Sequence, residues 1–128
     1  MVSKILVVDD DFAIRRLYEL ILEEAGLTRV KFASNGVEAV KIYKSLSEKP
    51  EIIIMDYRMP LMNGIEAMNE IKELHNGAKV IFVSADETIQ EKALSEGAVE
   101  FLKKPVDIYK FQKSIINVIN RFSSNLQL

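Results

Sequence analysis

The stretch KILVVDDDF, residues 4–12, decides the fold class, because a run of apolar residues meets three aspartates without a break. Ile5–Val8 is aliphatic and mostly β-branched, which predicts a short buried strand that ends at the acidic group. Asp9, Asp10 and Asp11 could be a solvated turn that begins a helix, since runs of like charge are usually exposed. They could also form a binding site, and the rest of the sequence decides between these interpretations.

Similar apolar runs recur along the chain and alternate with helical patterns. The predicted strands are Ile5–Val8, Val30–Ala33, Ile52–Met55, 80–83 and 98–102. The segments between and after them carry apolar residues at helical spacing. This alternation predicts an α/β fold, in which helices cover both faces of a parallel sheet. Five strand–helix units indicate a doubly wound (βα)5 fold of the flavodoxin-like type, whose sheet commonly has the strand order 2-1-3-4-5.

Glycines and a capping residue mark the ends of the predicted helices. Gly26, Gly77 and Gly97 each follow the last periodic residue of a helix, where a left-handed residue is often needed. Asp107 is predicted to cap the last helix. The chain is predicted to be a single domain over residues 1–128, with a core of about 4–122 and a frayed tail at 123–128.

The composition excludes several classes of function. The chain has 128 residues, a net charge of -2 and no basic stripe, so binding to nucleic acid is not expected. It has no cysteine and one histidine, which excludes a cysteine-based or multi-histidine metal site. No apolar run approaches the length of a membrane span or of a secretory signal, so a cytoplasmic location without membrane contact is expected.

Polar residues follow the ends of four predicted strands and are expected to form one site. Asp9 and Asp10 follow the first strand, Asp56 the third, Ser84 the fourth and Lys104 the fifth. Ligands of such sheets bind beyond the carboxyl ends of the strands, where the strand order reverses. Carboxylates brought together there repel one another unless a cation neutralises them, and Mg²⁺ prefers such oxygen ligands.

The chemistry that fits this set is phosphoryl transfer onto a carboxylate nucleophile, Asp56. Lys104 and the hydroxyl of Ser84 would neutralise the phosphoryl oxygens beside the cation. Each residue also has a structural interpretation: Asp56 as a turn residue, Ser84 as a helix cap and Lys104 as a surface lysine. Their common position at one edge of the sheet favours the functional interpretation.

Four motifs closely resemble the receiver domain of two-component response regulators, the CheY-like family. They are ILVVDDDF followed by RR, then IIIMDYRMPLMNGIE, VIFVSAD and FLKKPVD. The resemblance extends from Lys4 to about Phe122. The strand order 2-1-3-4-5 is also that of this family, so the two expectations are not independent.

The resemblance assigns a role to each residue of the set. It implies that Asp56 is the phosphoacceptor and that Asp9 and Asp10 are the acidic pair that binds Mg²⁺, for which Mn²⁺ can substitute. Ser84 matches the switch Ser/Thr position, and Lys104 matches the lysine of the family's site. Asp11 has no metal role by this match and is assigned to the start of the helix.

Three further positions take their roles from the resemblance. The backbone carbonyl of Arg58 is implied as a metal ligand, and the peptide bond before Pro105 matches one that is cis in the family. Phe101 matches the aromatic switch position, which is implied to turn inward on phosphorylation and to remodel the surface of helix 4, strand 5 and helix 5. An ordinary core phenylalanine is the alternative.

Two charged pairs are interpreted more freely. Arg58 and Asp86 each lie two residues after a site residue, and we expect them to face each other at the rim and to impede hydrolysis of the phosphoryl group. Solvated charges are the alternative. Arg15 and Arg16 are expected on the surface of the first helix, near the place where family members often bind a phosphotransfer partner.

The expected function is that of a stand-alone receiver that takes a phosphoryl group from a histidine kinase or a histidine-phosphotransfer protein and signals through contact with a protein target. It would catalyse only its own phosphorylation and dephosphorylation.

One alternative is a receiver that is not phosphorylated and acts as an interaction module. An aspartyl-nucleophile phosphatase of the haloacid-dehalogenase type needs a second Asp where this chain has Arg58. A nucleotide-binding Rossmann domain is excluded because no glycine-rich phosphate-binding motif follows the first strand of this chain.

Overall fold

The structure, a computed structural model, describes residues 4–123, which form five strands and five helices. The strands are β1 (Ile5–Val8), β2 (Val30–Ala33), β3 (Ile52–Met55), β4 (Lys79–Ser84) and β5 (Glu100–Lys103). The helices are α1 (Phe12–Glu24), α2 (Gly36–Ser45), α3 (Gly64–Leu74), α4 (Gln90–Ser95) and α5 (Ile108–Ser123). A short 3₁₀ turn (Glu87–Ile89) leads into α4. Ser123 ends α5, and the rest of the tail predicted to fray, 124–128, lies outside the described residues.

The strands form one parallel sheet in the order β2-β1-β3-β4-β5, which confirms the predicted doubly wound α/β fold. All residues of β1 and β3 are buried, because these strands lie inside the sheet and are covered on both faces. The edge strands β2 and β5 are only partly buried. Since all strands point the same way, their carboxyl ends meet along a single edge of the sheet.

Two hydrophobic cores hold this sheet between the helices. Alternate residues of a strand point to opposite faces. In β1, Ile5 and Val7 pack in the core formed with α1 and α5, beside Phe111. Leu6 and Val8 pack in the core formed with α2, α3 and α4. Each such side chain contributes about 1.5–3 kcal/mol when fully buried, so the central strands are firmly held where they carry the polar residues that follow them.

Side chains cap the beginnings of α3 and α5, among other helices. Asn63 and Glu66 exchange side-chain-to-backbone hydrogen bonds of 2.9 Å at the start of α3. Asp107 accepts a hydrogen bond of 2.7 Å from the backbone N–H of Tyr109, which confirms the predicted cap of α5. None of the helices within residues 4–123 combines the length and apolar character that crossing a membrane requires.

The glycine predictions were right at two positions and wrong at the third. Gly26 and Gly97 have φ angles of 82° and 120°, in the left-handed region that ends many helices. Gly77 does not have a positive φ. Helix α3 has already ended at Leu74, where the backbone N–H of His75 donates to the carbonyl of Ile71 at 2.9 Å.

The bounds of two strands also differ from the prediction. β4 covers Lys79–Ser84 rather than 80–83, and β5 begins at Glu100 rather than at residue 98. Ala98 lies outside β5 because its backbone N–H donates to the carbonyl of Ala93 at 3.0 Å and so closes the end of α4. Its side chain is buried in the core, which explains why its apolar character resembled that of a strand.

Candidate functional site

Backbone hydrogen bonds place three site residues just beyond the ends of their strands. The N–H of Asp9 donates to the last residue of β2 at 3.1 Å, and that of Asp56 donates to the last residue of β1 at 2.9 Å. The N–H of Lys104 donates to the last residue of β4 at 2.9 Å. The sheet therefore continues one residue into the site and fixes the Cα positions of these residues.

Three carboxylates converge at this edge, as the sequence predicts. Asp9, Asp10 and Asp56 each offer a carboxylate oxygen, and these oxygens lie within 4.8 Å of one another. Asp9 is 2 % exposed and Asp56 is 8 % exposed, whereas Asp10 is exposed to solvent. The ammonium of Lys104 lies 3.0 Å from Oδ2 of Asp9 and 3.5 Å from Oδ1 of Asp56. The peptide bond between Lys104 and Pro105 is cis.

The three consecutive aspartates divide into two roles. Oδ1 of Asp9 accepts a hydrogen bond of 2.9 Å from the backbone N–H of Asp11, which holds the acidic loop against the pocket. Asp11 turns away and accepts a hydrogen bond of 2.8 Å from the N–H of Ala13, at the start of α1. The turn-and-cap interpretation is thus right for Asp11 only, and Asp9 and Asp10 remain available to a ligand.

Burial and charge alter the protonation of the pocket. Burial, reinforced by the nearby charge of Asp9, raises the pKa of Asp56 from 3.8 to about 6, and Lys104 opposes the shift. Burial alone would lower the pKa of Lys104, but its hydrogen bond to Asp9 and the negative charges of Asp56 and Asp9 outweigh burial and raise it. Lys104 therefore remains a cation in contact with two carboxylates.

The donor set fits a hard divalent cation. Mg²⁺ is usually bound by a few carboxylates while water completes its octahedral coordination. Asp9, Asp10 and Asp56 supply such carboxylates, and Asp10 borders the solvent from which water would come. A cation here would also offset the negative charge of Asp9, which adds to the effect of burial on the pKa of Asp56.

Two residues of α1 contribute to the site in ways that the sequence did not indicate. Arg15 is half-buried, and its Nη1 donates to the backbone carbonyl of Asp9 at 2.6 Å, so the prediction of a surface residue was wrong. Arg16 is exposed and pairs with Glu19 at 2.7 Å, as expected for the surface. The pattern of α1 offers no signal for Arg15, because its contact depends on how the loop after β1 folds back.

Tyr18 is the second such residue. It is 5 % exposed, and its ring stacks on that of Phe111 at 4.4 Å between centroids. Burial raises the pKa of Tyr18, and the negative charges of Asp9 and Asp56 raise it further. The apolar stripe of α1 identifies Tyr18 as a core residue but not as a neighbour of the acidic pocket.

Ser84 ends β4 and is 1 % exposed. Its Oγ accepts a hydrogen bond of 3.0 Å from the backbone N–H of Asp86. Asp86, rather than Ser84, caps the 3₁₀ turn, through its bond of 3.0 Å to the N–H of Thr88. Within residues 4–123, the hydroxyl of Ser84 forms no hydrogen bond with the side chain of Asp56 or of Lys104, so it points to the loop rather than to the carboxylates.

Arg58 and Asp86 face each other across the rim of the pocket. Nη2 of Arg58 lies 2.8 Å from Oδ2 of Asp86. The Arg58 side chain is 76 % exposed and the Asp86 side chain is 13 % exposed. Hydrogen bonds from Thr88, together with the Arg58 guanidinium, lower the pKa of Asp86. The expected pairing is present, and it links the loop after β3 to the loop after β4.

Phe101 occupies the middle of the signalling surface predicted from the sequence. It pairs with Phe82 in the β4–β5 register and packs, half-buried, against the core of α2, α3 and α4. Phe101 also borders a surface groove of about 310 Å³ that extends towards Lys110 of α5. Phe101 is thus partly exposed, whereas its neighbour Phe82 is fully buried.

The comparisons with known proteins agree with one another. A family model described as response regulator receiver domain matches residues 5–116. The chemotaxis protein CheY of Thermotoga maritima is 38% identical over 126 residues, which cover 96% of this chain and 99% of that protein.

Solved structures give the same result. CheY in the CheX–CheY–BeF3–Mg²⁺ complex of Borrelia burgdorferi has 32% identity and a TM-score of 0.82, with 91% of this chain and 89% of that chain covered. A receiver domain protein from Clostridium thermocellum has 31% identity and a TM-score of 0.86, with 99% and 100% covered. The similarity therefore covers the sheet, the helices and the loops that carry the acidic pocket.

Proposed function

Because this chain belongs to the response regulator receiver family, we propose that Asp56 accepts a phosphoryl group from a phosphohistidine donor in a Mg²⁺-dependent reaction. One observation carries the proposal: Asp56 lies in a pocket where Asp9, Asp10 and Lys104 surround a single carboxylate nucleophile. A phosphohistidine donor supplies the imidazole leaving group. The receiver then has to supply only a nucleophile and the charges that stabilise the phosphoryl group during its transfer.

The reaction is a displacement at phosphorus. An oxygen of Asp56 forms the new O–P bond while the N–P bond of the donor breaks, and its electron pair returns to the imidazole nitrogen. The ammonium of Lys104, now 3.5 Å from Asp56, donates to a phosphoryl oxygen. The hydroxyl of Ser84 donates to another after it leaves the backbone N–H of Asp86, 3.0 Å away.

Mg²⁺ would be held by Asp9, Asp10 and Asp56, together with the backbone carbonyl of Arg58, and Mn²⁺ would substitute for it. The bound cation supplies positive charge for the phosphoryl oxygens and offsets the repulsion among the carboxylates. The chemistry of the donor set supports this assignment. The CheY of Borrelia burgdorferi, which was crystallised with Mg²⁺ and BeF3, supports it as well.

We assign to the rim pair the role of slowing hydrolysis. A water that attacks the phosphoryl group must approach from the open side of the pocket, opposite the Asp56 oxygen. The side chains of Arg58 and Asp86, joined at 2.8 Å, lie at the edge of that opening. The pair would restrict the approach of water and so lengthen the lifetime of the aspartyl phosphate.

The signal would pass through Ser84 to Phe101. When Ser84 moves to the phosphoryl group, its bond to Asp86 breaks and the loop that leads into α4 is released. Phe101 is half-buried against the core formed with α2, α3 and α4. It can then turn inward and change the surface formed by α4, β5 and α5. Phenylalanine has no hydroxyl, so a partner would recognise the shape of this surface rather than a hydrogen bond from residue 101.

The partners follow from this scheme. The donor would be a histidine kinase or a histidine-phosphotransfer protein, and the output would be contact with a protein target. The similarity to chemotaxis proteins supports protein contact as the output, and the Borrelia burgdorferi CheY is in complex with CheX. The chain would act as an enzyme only on its own phosphorylation and dephosphorylation, within the cytoplasm.

Intact-mass spectrometry after incubation with acetyl phosphate tests the proposal. The native chain should gain one phosphoryl group with Mg²⁺ and none with EDTA. Asp56→Asn should gain none under either condition, while Asp107→Asn, an acidic residue at the start of α5, should behave as the native chain does. If the native chain gains no phosphoryl group from acetyl phosphate or a phosphohistidine protein, the domain is an interaction module.

A further inference from the structure

A second cavity lies at the opposite edge of the sheet from the acidic pocket. It has a volume of about 350 Å³ and is bounded by the start of β1, the start of β2 and the loop after α2. Its apolar lining includes Ile5, Val30 and Leu46. The strand β1, at about 3.3 Å per residue, separates this cavity from Asp9. Cavities of this size commonly hold small molecules rather than macromolecules.

The rim of the cavity is cationic. Lys4, Arg29 and Lys31 line it, and Thr28 adds a hydroxyl group. The chain as a whole has a net charge of -2, whereas three of the residues that line this cavity are cationic. Within the described part of the chain, Lys31 forms no ion pair. Lys31 therefore offers an anion at the rim a positive charge that no carboxylate of the described residues neutralises.

The side chain of Glu48 shows where an external anion would bind. Its Oε1 lies 2.8 Å from Nζ of Lys4 and 2.9 Å from Nη2 of Arg29, so a single carboxylate oxygen contacts both cations. These contacts lower the pKa of Glu48. The Glu48 side chain is 70 % exposed, so it can leave the two cations without disturbing the core.

The two cations are attached to rigid backbone. The N–H of Ile5 donates to the carbonyl of Arg29 at 3.0 Å, and the carbonyl of Lys4 accepts from the N–H of Glu51 at 3.1 Å. The separation of Lys4 and Arg29 is thus set by pairing of β1 with its neighbours and exists before any ligand binds. A site built on strands in this way loses little entropy when it is occupied.

We propose that this cavity binds a small organic anion with an apolar body. The carboxylate of the ligand takes the place of the Glu48 carboxylate between Lys4 and Arg29, with Lys31 as a further cation. The apolar body lies against Val30 and Leu46, the partly buried apolar residues of the lining. Glu48 thus competes with the ligand, and the site is independent of phosphorylation at Asp56.

The probe is 2-naphthoate, and its neutral counterpart is 2-naphthalenemethanol. Each is titrated into the ¹⁵N-labelled full chain, and amide shifts are followed by NMR. The naphthoate should shift the amides of residues 4–5, 28–31 and 46–48 in a saturable manner. The neutral alcohol should bind more weakly at the same amides, because it lacks the charge that Lys4 and Arg29 recognise.

Two variants should change the affinity in opposite directions. Glu48→Gln removes the competing carboxylate and should tighten naphthoate binding about threefold, as expected for an exposed ion pair. Lys31→Gln should weaken it by a similar factor, about threefold. Lys92→Gln, an exposed lysine of α4 far from the cavity, is the matched control and should bind as the native chain does.

Three results would overturn the proposal. Shifts that spread over the surface without saturation would show non-specific binding. Equal affinity for the naphthoate and the alcohol would show that the cations play no part. Unchanged affinity in Glu48→Gln would show that the ligand does not replace Glu48. Both altered residues are exposed, so the variants should fold, and their amide spectra will show whether they do.

Discussion

The ammonium of Lys104 lies 3.5 Å from Oδ1 of Asp56, the residue that we propose as the phosphoacceptor. It also donates a hydrogen bond of 3.0 Å to Asp9. Parallel pairing of β3, β4 and β5 brings the two residues together, although they are far apart in sequence. Lys104 is thus placed to meet negative charge that moves onto Asp56.

Replacing Lys104 should slow phosphorylation. Lys104→Met keeps much of the side-chain volume but removes the cation, and the rate of phosphorylation by acetyl phosphate should fall about tenfold or more, as when other transition-state donors are removed. Time courses of intact mass at saturating Mg²⁺ measure this rate. Lys103→Met is the control, since Lys103 pairs with Glu87 at 2.8 Å outside the pocket. Equal rates for the native chain and Lys104→Met would exclude this role for Lys104.

The fold and the main site residues could be predicted from the sequence for a physical reason. Buried parallel strands must be continuously apolar, so a polar residue directly after one marks the strand's end and its position at the edge of the sheet. Asp9 and Asp56 are recognised in this way. Lys104 is recognised because it follows the last strand, even though the predicted bounds of that strand were shifted.

Other contributions to the site depend on contacts between distant segments. Arg15 reaches the carbonyl of Asp9 only because the loop after β1 folds back over α1. Gly64, the first residue of α3, packs against the backbone of Asp56, and no pattern of apolar residues around it indicates this contact. A periodic pattern reports which face of a helix is apolar, and it does not report which loop lies beside that helix.

The close packing at Gly64 predicts a loss of stability on substitution. A Cβ at this position would collide with the carbonyl oxygen of Asp56 and lie 2.8 Å from Cε1 of Phe82. Gly64→Ala should lower the free energy of unfolding by about 1–3 kcal/mol, because overpacking forces the backbone to shift. Urea unfolding followed by circular dichroism measures this difference.

Gly77→Ala is the matched control for that substitution. A Cβ at Gly77 would meet only the imidazole of His75, at 3.2 Å, and this exposed position should change stability by about 0.5 kcal/mol or less. If Gly64→Ala is no less stable than Gly77→Ala, the loop before α3 is looser than the structure indicates. A shift of the Asp56 carbonyl should also slow phosphorylation of Gly64→Ala.

The raised pKa of Asp56 predicts that Asp56→Asn is more stable than the native chain in EDTA. The folded chain holds the Asp56 proton up to about pH 6, whereas the unfolded chain releases it near 3.8. The free energy of unfolding is therefore not reduced by Asp56 below pH 3.8. It falls as the pH rises from 3.8 to about 6 and stays at the lower value above pH 6. At about 1.36 kcal/mol per unit of pKa, the asparagine variant should gain up to about 3 kcal/mol at pH 7.

Urea unfolding at pH 7 and at pH 4.5 tests the sign of this effect. The advantage of Asp56→Asn should be largest at pH 7 and should shrink at pH 4.5, where the native carboxyl group is mostly protonated in the folded chain. Glu70→Gln, at an exposed position of α3, is the control for replacing a carboxylate by an amide outside the pocket. An advantage that is equal at both pH values would mean that packing, rather than charge, is responsible.

The ion pair between Arg58 and Asp86 should lengthen the life of the aspartyl phosphate. Arg58→Ala opens the rim to water, and the phosphorylated form should decay about threefold faster, within the range expected for the loss of an exposed ion pair. Asp86→Asn removes the charge but keeps an acceptor for Thr88, which Asp86 contacts at 3.0 Å. The double variant should decay no faster than Arg58→Ala, because the two residues act through one interaction.

The decay is measured by intact mass after acetyl phosphate has been removed by rapid gel filtration, with Mg²⁺ present. Arg16→Ala is the matched control, because Arg16 forms a comparable exposed pair with Glu19, at 2.7 Å, away from the pocket. An unchanged lifetime in Arg58→Ala would leave the pair as a surface contact that joins two loops. Additive acceleration in the double variant would instead show that each side chain impedes water by itself.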